Sequence, residues 1–234
     1  MPQRPLPEVP AVPLVLASAS PARLATLRAA GVWPAVVVSR VDEDLALAEA
    51  FERYGPLGAP DVALLLARAK AEDVSSTDVR GAVVLGCDSV LELDGEVHGK
   101  PADDAEAVRR WRRMRGRSGV LHTGHWLVDD RDGHGGRRGH HGRRGATLGA
   151  TASTTVHFAA LSDEEIDAYV ATGEPLLVAG AFTIDGLGGA FVTSIEGDHH
   201  NVVGLSLPLL RELLADAGIE WFDVVGGVDG SDQG

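Results

Sequence analysis

Apolar residues fall in short blocks separated by glycine, proline and charged positions, and the spacing within each block predicts its conformation. Leu14 to Ala17 reads as a short buried strand behind a proline-rich lead. Ser20 suits a helix N-cap with Pro21 at the first helical position; the helical pattern runs from Arg23 to Ala30, and Gly31 closes it. Val36-Val37-Val38 reads as a strand, and Asp61 to Val74 as a helix carrying Lys70 among alanines one turn from its end. Val83 to Leu85 predicts a buried strand that stops at Asp88, and Val90 to Leu93 a second one. Asp94-Gly95 then makes a tight turn, so that Val97 to Lys100 returns toward the start. Pro101 sets the exit into a helix over Asp103 to Met114.

Strands around Val120 to Val128 and Thr151 to Phe158 follow, then a helix from Ser162 to Ala171 with Asp163 and Glu164 in its first turn and Gly173 at its end. Pro175 to Phe182 predicts a short helix and Phe191 to Ile195 a strand. Ser206 to Ala217 predicts an amphipathic helix with Leu207, Leu210, Leu213 and Leu214 on one side. Strands and helices alternate throughout, which predicts an α/β protein built on a long twisted mixed sheet with helices on its flanks.

Composition narrows this picture. A chain of 234 residues with 44% hydrophobic content can bury one large core, or two lobes of one domain, without staples. Its one cysteine, Cys87, excludes an internal disulfide framework and fits a reducing compartment. No apolar run reaches the ~20 residues of a membrane span, and M-P-Q-R-P-L-P-E-V-P lacks the regions of a secretion signal, so a soluble, cytoplasmic protein is expected. A net charge of -13, with 21 Lys+Arg against 34 Asp+Glu, argues against a nucleic-acid-binding surface and leaves any anionic ligand to local cations. The expected organisation is a flexible lead over residues 1–12, one domain over 13–223, and a disordered tail over 224–234. Asp129 to Gly149, with R-D-G-H-G-G-R-R-G-H-H-G-R-R-G, cannot bury a core and is expected to be a mobile hairpin loop; a metal or nucleic-acid tract, suggested by His134, His140 and His141, is the less favoured reading.

Two places carry candidate chemistry. Asp88 at a strand end and Lys100 behind the hairpin face one cleft in this reading, and a carboxylate beside an ammonium suits phosphoryl chemistry. The turn Ser18-Ala19-Ser20-Pro21 leaves hydroxyls and N–H groups above the first strand, an anion site. His122 and His125 fall on opposite faces of a strand and His199-His200 reads as loop polarity. Trp33, Trp111, Trp126 and Trp221 are too scattered to stack bases and read as packing residues, and Cys87 reads as a buried thiol.

The run L-A-S-A-S-P-A-R-L-A-T-L, Leu16 to Leu27, resembles the opening signature of the Maf family of nucleoside triphosphate pyrophosphatases. Further marks follow in order: Val41-Asp42-Glu43, Ala67 to Ala71, Gly86-Cys87-Asp88-Ser89, Gly99-Lys100-Pro101, His122-Thr123-Gly124, Ala179 to Phe182 with Gly186 to Gly189, and N-V-V-G-L-S-L-P from Asn201 to Pro208. They span about Leu14 to Leu214. The resemblance implies a Maf/inosine triphosphatase-like fold with two lobes around a central cleft, and hydrolysis of a nucleoside triphosphate between its α and β phosphorus atoms with a divalent metal, Mg or Mn. By resemblance, Asp88 is the general base, Lys70 and Lys100 meet phosphate, and Glu43 holds the metal with Asp88, Asp42 and Asp44 being near enough to compete for that role. Ser18, Ser20 and Arg23 would hold triphosphate oxygens, with Ser89 and Asp185 as further substrate contacts.

Family members preferring thymidine and uridine triphosphates carry two arginines after S-P, a threonine after the catalytic aspartate and a glutamine before the later G-x-G. This chain has Ala22, Ser89 and Asp185 there, so that preference does not carry over; an ionised Asp185 would favour a base presenting N–H donors, such as guanine or cytosine. A homodimer is also suggested by resemblance. The family name is associated with inhibition of septum formation too, which leaves a nucleotide-binding regulator of cell division as the alternative.

Overall fold

Eleven consecutive residues, Val83 to Leu93, form the central strand around which the other elements assemble in this computed structural model, which describes residues 9–77, 79–131 and 146–226. In chain order, β1 (Leu14–Leu16) leads into α1 (Pro21–Ala29), capped by Ser20, whose hydroxyl accepts from the Arg23 N–H. β2 (Ala35–Val36) is followed by α2 (Glu43–Tyr54), capped by Asp42, and by α3 (Ala59–Ser75). β3 (Val83–Leu93) turns at Asp94 and Gly95, both at positive φ as a tight hairpin requires, into β4 (Glu96–His98). After α4 (Asp104–Met114), the long strands β5 (Ser118–Asp129) and β6 (Thr147–Phe158) pair along most of their length. A capping box at Ser162 and Glu165 starts α5 (Asp163–Ala171), and β7 (Val192–Glu196), α6 (His199–Val203), α7 (Leu207–Asp216) and α8 (Trp221–Val224) complete the described chain.

The sheet runs β2-β1-β3-β5-β6-β7, with β4 paired to the far end of β3. β1 pairs in parallel with both β2 and β3, and every other pairing is antiparallel, so the sheet is mixed as expected. Among the described residues no helix is long and apolar enough to cross a membrane.

Apolar packing divides into two zones along β3. Leu85 and Cys87 join a cluster with β1, α1, α7 and α8, whereas Leu91 and Leu93 join another with Trp111, Phe158, Ile166 and Phe182. On the opposite face Val84 belongs to a cluster with Ala71 and Val74, and Val90 to one with Ala63 and Leu66. On both faces the break falls at residues 88 and 89, so the polar centre of β3 lies where two apolar lobes meet.

Several expectations need correction. β3 does not stop at Asp88; it pairs with β5 without interruption from Val83 to Glu92, because the charge is met by a helix side chain rather than by a chain reversal. Glu43, which follows β2 in the chain, opens α2, a helix the hydrophobic pattern did not reveal because only Ala50 of it is buried. Pro175 to Phe182 is two 3₁₀ turns, Glu174–Leu177 and Ala179–Ala181, the second holding Gly180 at positive φ. His199 and His200 start α6 under an Asp198 cap. Parts of the expected lead, loop and tail fall among the described residues. Val12 is buried and donates its N–H to the Asp223 carbonyl at 2.8 Å, Val224 and Val225 are buried against the first cluster, and β5 and β6 extend to Asp129 and from Thr147. The rest of the expected lead, loop and tail, with His134, His140 and His141, lies outside the described residues.

Candidate active site

Strand alternation sends Asp88 and Ser89 to opposite faces of the sheet, and each meets a separate group of polar side chains. On the Asp88 face α3 lies against β3 and β5 at backbone distance. A β-carbon on Gly86 would stand 2.1 Å from the Ala67 carbonyl oxygen, and one on Gly124, the cross-strand partner of Asp88, 2.3 Å from that of Ala63. The two glycines and the small face of α3 bring Lys70 over the strand.

The Lys70 ammonium forms an ion pair with Asp88 Oδ1 and a second, at 2.7 Å, with Glu43 Oε1 from the first turn of α2. Lys70 and Asp88 side chains are 15% and 11% exposed and Glu43 is 49% exposed, so the trio is open to solvent on the Glu43 side. Burial raises the Asp88 carboxyl above its ordinary range; Lys70 and Arg23 pull it back, and Glu43 adds to the rise. Asp88 is thus a carboxylate of increased basicity beside two cations. The carboxylates of Glu43 and Asp88 are hard oxygen donors, and the ammonium between them shows that this spot already accommodates a cation. Among the described residues no three His, Cys, Asp or Glu side chains gather as a metal cage.

On the other face Arg23 reaches from α1 to the middle of the sheet and is buried. Its Nε donates to the Gly204 carbonyl at 2.7 Å, Nη1 to Ser18 Oγ at 3.1 Å and the Cys87 carbonyl at 2.8 Å, and Nη2 to Ser89 Oγ at 3.0 Å. Four of its five N–H groups therefore meet protein acceptors. Ser18 Oγ also accepts the Ser20 N–H at 3.2 Å, so the turn before α1 is tied through Arg23 to β3. Thr123 Oγ1 donates to the Asn201 carbonyl at 3.2 Å, which leaves Ser89 Oγ as the donor in its 2.9 Å bond to Thr123.

The structure thus gathers Glu43, Lys70 and Asp88 in one group and Ser18, Ser20, Arg23 and Ser89 in a neighbouring one. Lys100 and Asp185 are exposed, and neither forms a hydrogen bond or ion pair among the described residues. The backbone before Lys100 is nevertheless anchored: the Gly99 carbonyl accepts from Arg110 Nη1 at 2.5 Å and from the Gly180 N–H at 3.1 Å. The segment around Asp185 is held by Glu174, whose carboxylate accepts from Tyr169 Oη at 2.9 Å, Thr183 Oγ1, the Leu187 N–H at 3.0 Å and the Gly188 N–H at 2.9 Å. Although burial alone would raise its carboxyl, these bonds hold Glu174 below the usual range.

His122 and His125 sit on opposite faces. His122 bonds Ser153 and Glu92, while His125 is fully buried, Nδ1 donating to the Thr123 carbonyl at 3.0 Å and Nε2 accepting the Ser206 N–H at 2.8 Å. Burial pushes the Cys87 thiol up to about 12, which keeps it protonated and unreactive. Sequence reasoning assigned no role to Thr123, Gly124, Asn201, Gly204, Arg110 or Glu174. The first four lie inside motifs already singled out, H-T-G and N-V-V-G-L-S-L-P, which was the available signal.

A model of the family described as "Maf-like protein" matches residues 13–217. The chain is 60% identical to a nucleoside triphosphate pyrophosphatase of Salinispora tropica over 208 residues, 87% of this chain and 83% of that relative. It is 54% identical to one of Streptomyces coelicolor over 206 residues, covering 88% of this chain and 90% of the other, and 51% identical to one of Leifsonia xyli subsp. xyli over 214 residues, covering 90% and 95%.

Proposed function

Because this chain belongs to the Maf-like protein family, we propose that it is a nucleoside triphosphate pyrophosphatase, hydrolysing the α–β phosphoanhydride to give the monophosphate and pyrophosphate, and that it clears unwanted or modified nucleotides. The observation that supports this reading best is the junction at Lys70 of two carboxylates that lie far apart in the chain. A protein that only bound nucleotide would have no need of a carboxylate of raised basicity at that junction. The relatives carry an enzyme's name as well, so the regulatory alternative is not favoured.

In this reading Asp88 orients the attacking water and takes its proton as the water oxygen bonds to phosphorus and the bridging P–O bond breaks toward pyrophosphate. Lys70 neutralises charge growing on the phosphoryl oxygens, and Lys100, without a partner among the described residues, meets the leaving pyrophosphate. The N–H groups and hydroxyls of the Ser18–Ser20 turn receive the remaining phosphate oxygens at the start of α1. Arg23 keeps that turn in place and has one N–H left for the substrate.

Glu43 and Asp88 would hold a divalent cation, Mg or Mn, with phosphate and water oxygens completing its shell, as two-carboxylate sites for hard cations do. When bound, such a cation screens phosphate charge and polarises the phosphoryl group. Asp185, exposed on the segment held by Glu174, would accept from the exocyclic amino group of guanine or cytosine, which thymine lacks, and so favour those nucleotides over thymidine triphosphate.

The test is pyrophosphate release across the common and 7-methylated triphosphates with magnesium and with manganese, for the native chain and Asp88→Asn. Release should be abolished in Asp88→Asn with nucleotide binding retained. Normal turnover by that variant would sink the mechanism, and a clear preference for thymidine triphosphate would sink the role given to Asp185.

A further inference from the structure

The two carboxylates proposed to hold the divalent cation are the two that Lys70 joins, through Glu43 Oε1 at 2.7 Å and Asp88 Oδ1. Two of the three ammonium N–H groups are therefore spent on the acids rather than aimed at a ligand. The pair of carboxylates would carry two negative charges side by side, and Lys70 halves that charge without any bound ion. A divalent cation coordinated by both acids would stand within a few ångströms of the ammonium if the lysine stayed. A divalent cation and an ammonium that close together repel each other strongly in a partly buried site. The lysine and the cation thus compete for one place.

Nucleotide changes the balance. A triphosphate brings several negative charges that attract the ammonium and the cation alike, and the four-carbon stem of Lys70, rooted one turn from the end of α3, allows the head to turn from the acids to the phosphates. Resting on the reading of Glu43 and Asp88 as metal ligands, we infer that Lys70 holds the cation's place in the free enzyme and yields it when nucleotide arrives, so that metal and nucleotide bind as a linked pair. Linkage of this kind keeps the free enzyme from filling its site with metal before substrate is present.

Manganese binding to the full chain, followed through the electron paramagnetic resonance signal of free Mn²⁺, tests this without reference to activity. In the absence of nucleotide, Lys70→Met should bind Mn²⁺ about tenfold or more tightly than the native chain, whereas Lys70→Arg, which keeps the charge, should stay within about twofold. An α,β-methylene triphosphate analogue should then tighten binding more in the native chain than in Lys70→Met. Lys70→Gln repeats the loss of charge with a polar head and serves if the methionine variant does not fold. Equal or weaker Mn²⁺ binding by the uncharged variants overturns the inference while leaving the metal site standing. Absence of Mn²⁺ binding in every protein, analogue included, overturns both.

Discussion

Gly124 is the cross-strand partner of Asp88, and the space a side chain would take there is filled by the backbone of α3 at Ala63 and Leu64. A methyl group at 124 would stand 2.3 Å from the Ala63 carbonyl oxygen, so Gly124→Ala must push α3 off the sheet, and Lys70 with it. The expected result is a loss of about 1–3 kcal/mol of stability together with a fall in kcat approaching a hundredfold. Urea unfolding and pyrophosphate release measure the two, and a variant with native kcat would show that Lys70 does not depend on this close approach.

Arg23 separates a strut from a substrate ligand. Its contacts reach residues 64, 66 and 181 positions away, joining α1 to β3 and to the loop after α6. Arg23→Ala leaves the Cys87 and Gly204 carbonyls without their donor and should cost about 3 kcal/mol, with Arg23→Lys recovering only part of it. A variant of unchanged stability and raised KM alone would mean that Arg23 serves the phosphates rather than the fold.

These separations explain what the sequence reveals and what it hides. Local signals succeed: Ser20-Pro21 starts α1, Asp94-Gly95 makes the hairpin, Asp103 and Ser162 cap α4 and α5, each through contacts within three or four residues. They fail where a distant partner decides. Asp88 reads as a strand end because a carboxylate inside a buried strand is costly, and the lysine that offsets the cost arrives from another helix. α2 is hidden because it turns mostly to solvent, and the four-fold tie on Arg23 has no periodicity to betray it. The members of the site were legible as motifs; their division between two faces of one sheet was not.

Acid should destabilise the protein through His125. Its neutral form is fixed on both nitrogens, and burial lowers its pKa to about 4 from 6.5. The unfolded chain therefore takes up a proton below pH 6.5 that the native chain refuses until about 4. Stability attributable to this site is intact above pH 6.5 and falls as pH drops toward 4, by about 3 kcal/mol at roughly 1.36 kcal/mol per unit. His125→Gln, which keeps a hydrogen-bonding head without titrating, should flatten that slope in urea titrations run at pH 7 and pH 5. An identical slope would assign acid sensitivity to other groups.

Glu174 should govern how well the Asp185 segment is presented rather than the chemistry at Asp88. Its carboxylate takes hydrogen bonds from Leu187 and Gly188 on one side and from Tyr169 and Thr183 on the other. The packing there leaves no slack, since a β-carbon on Gly188 would lie 2.2 Å from Tyr169 Oη. Glu174→Ala strands two backbone donors and a hydroxyl pair, and should lower stability by about 1–3 kcal/mol. With the segment loosened, KM should rise and discrimination among bases should narrow, while kcat changes little because the Glu43, Lys70 and Asp88 contacts are made by other elements. Kinetics with several triphosphates decide the matter: a fall in kcat at unchanged KM would place Glu174 in support of the reacting groups instead.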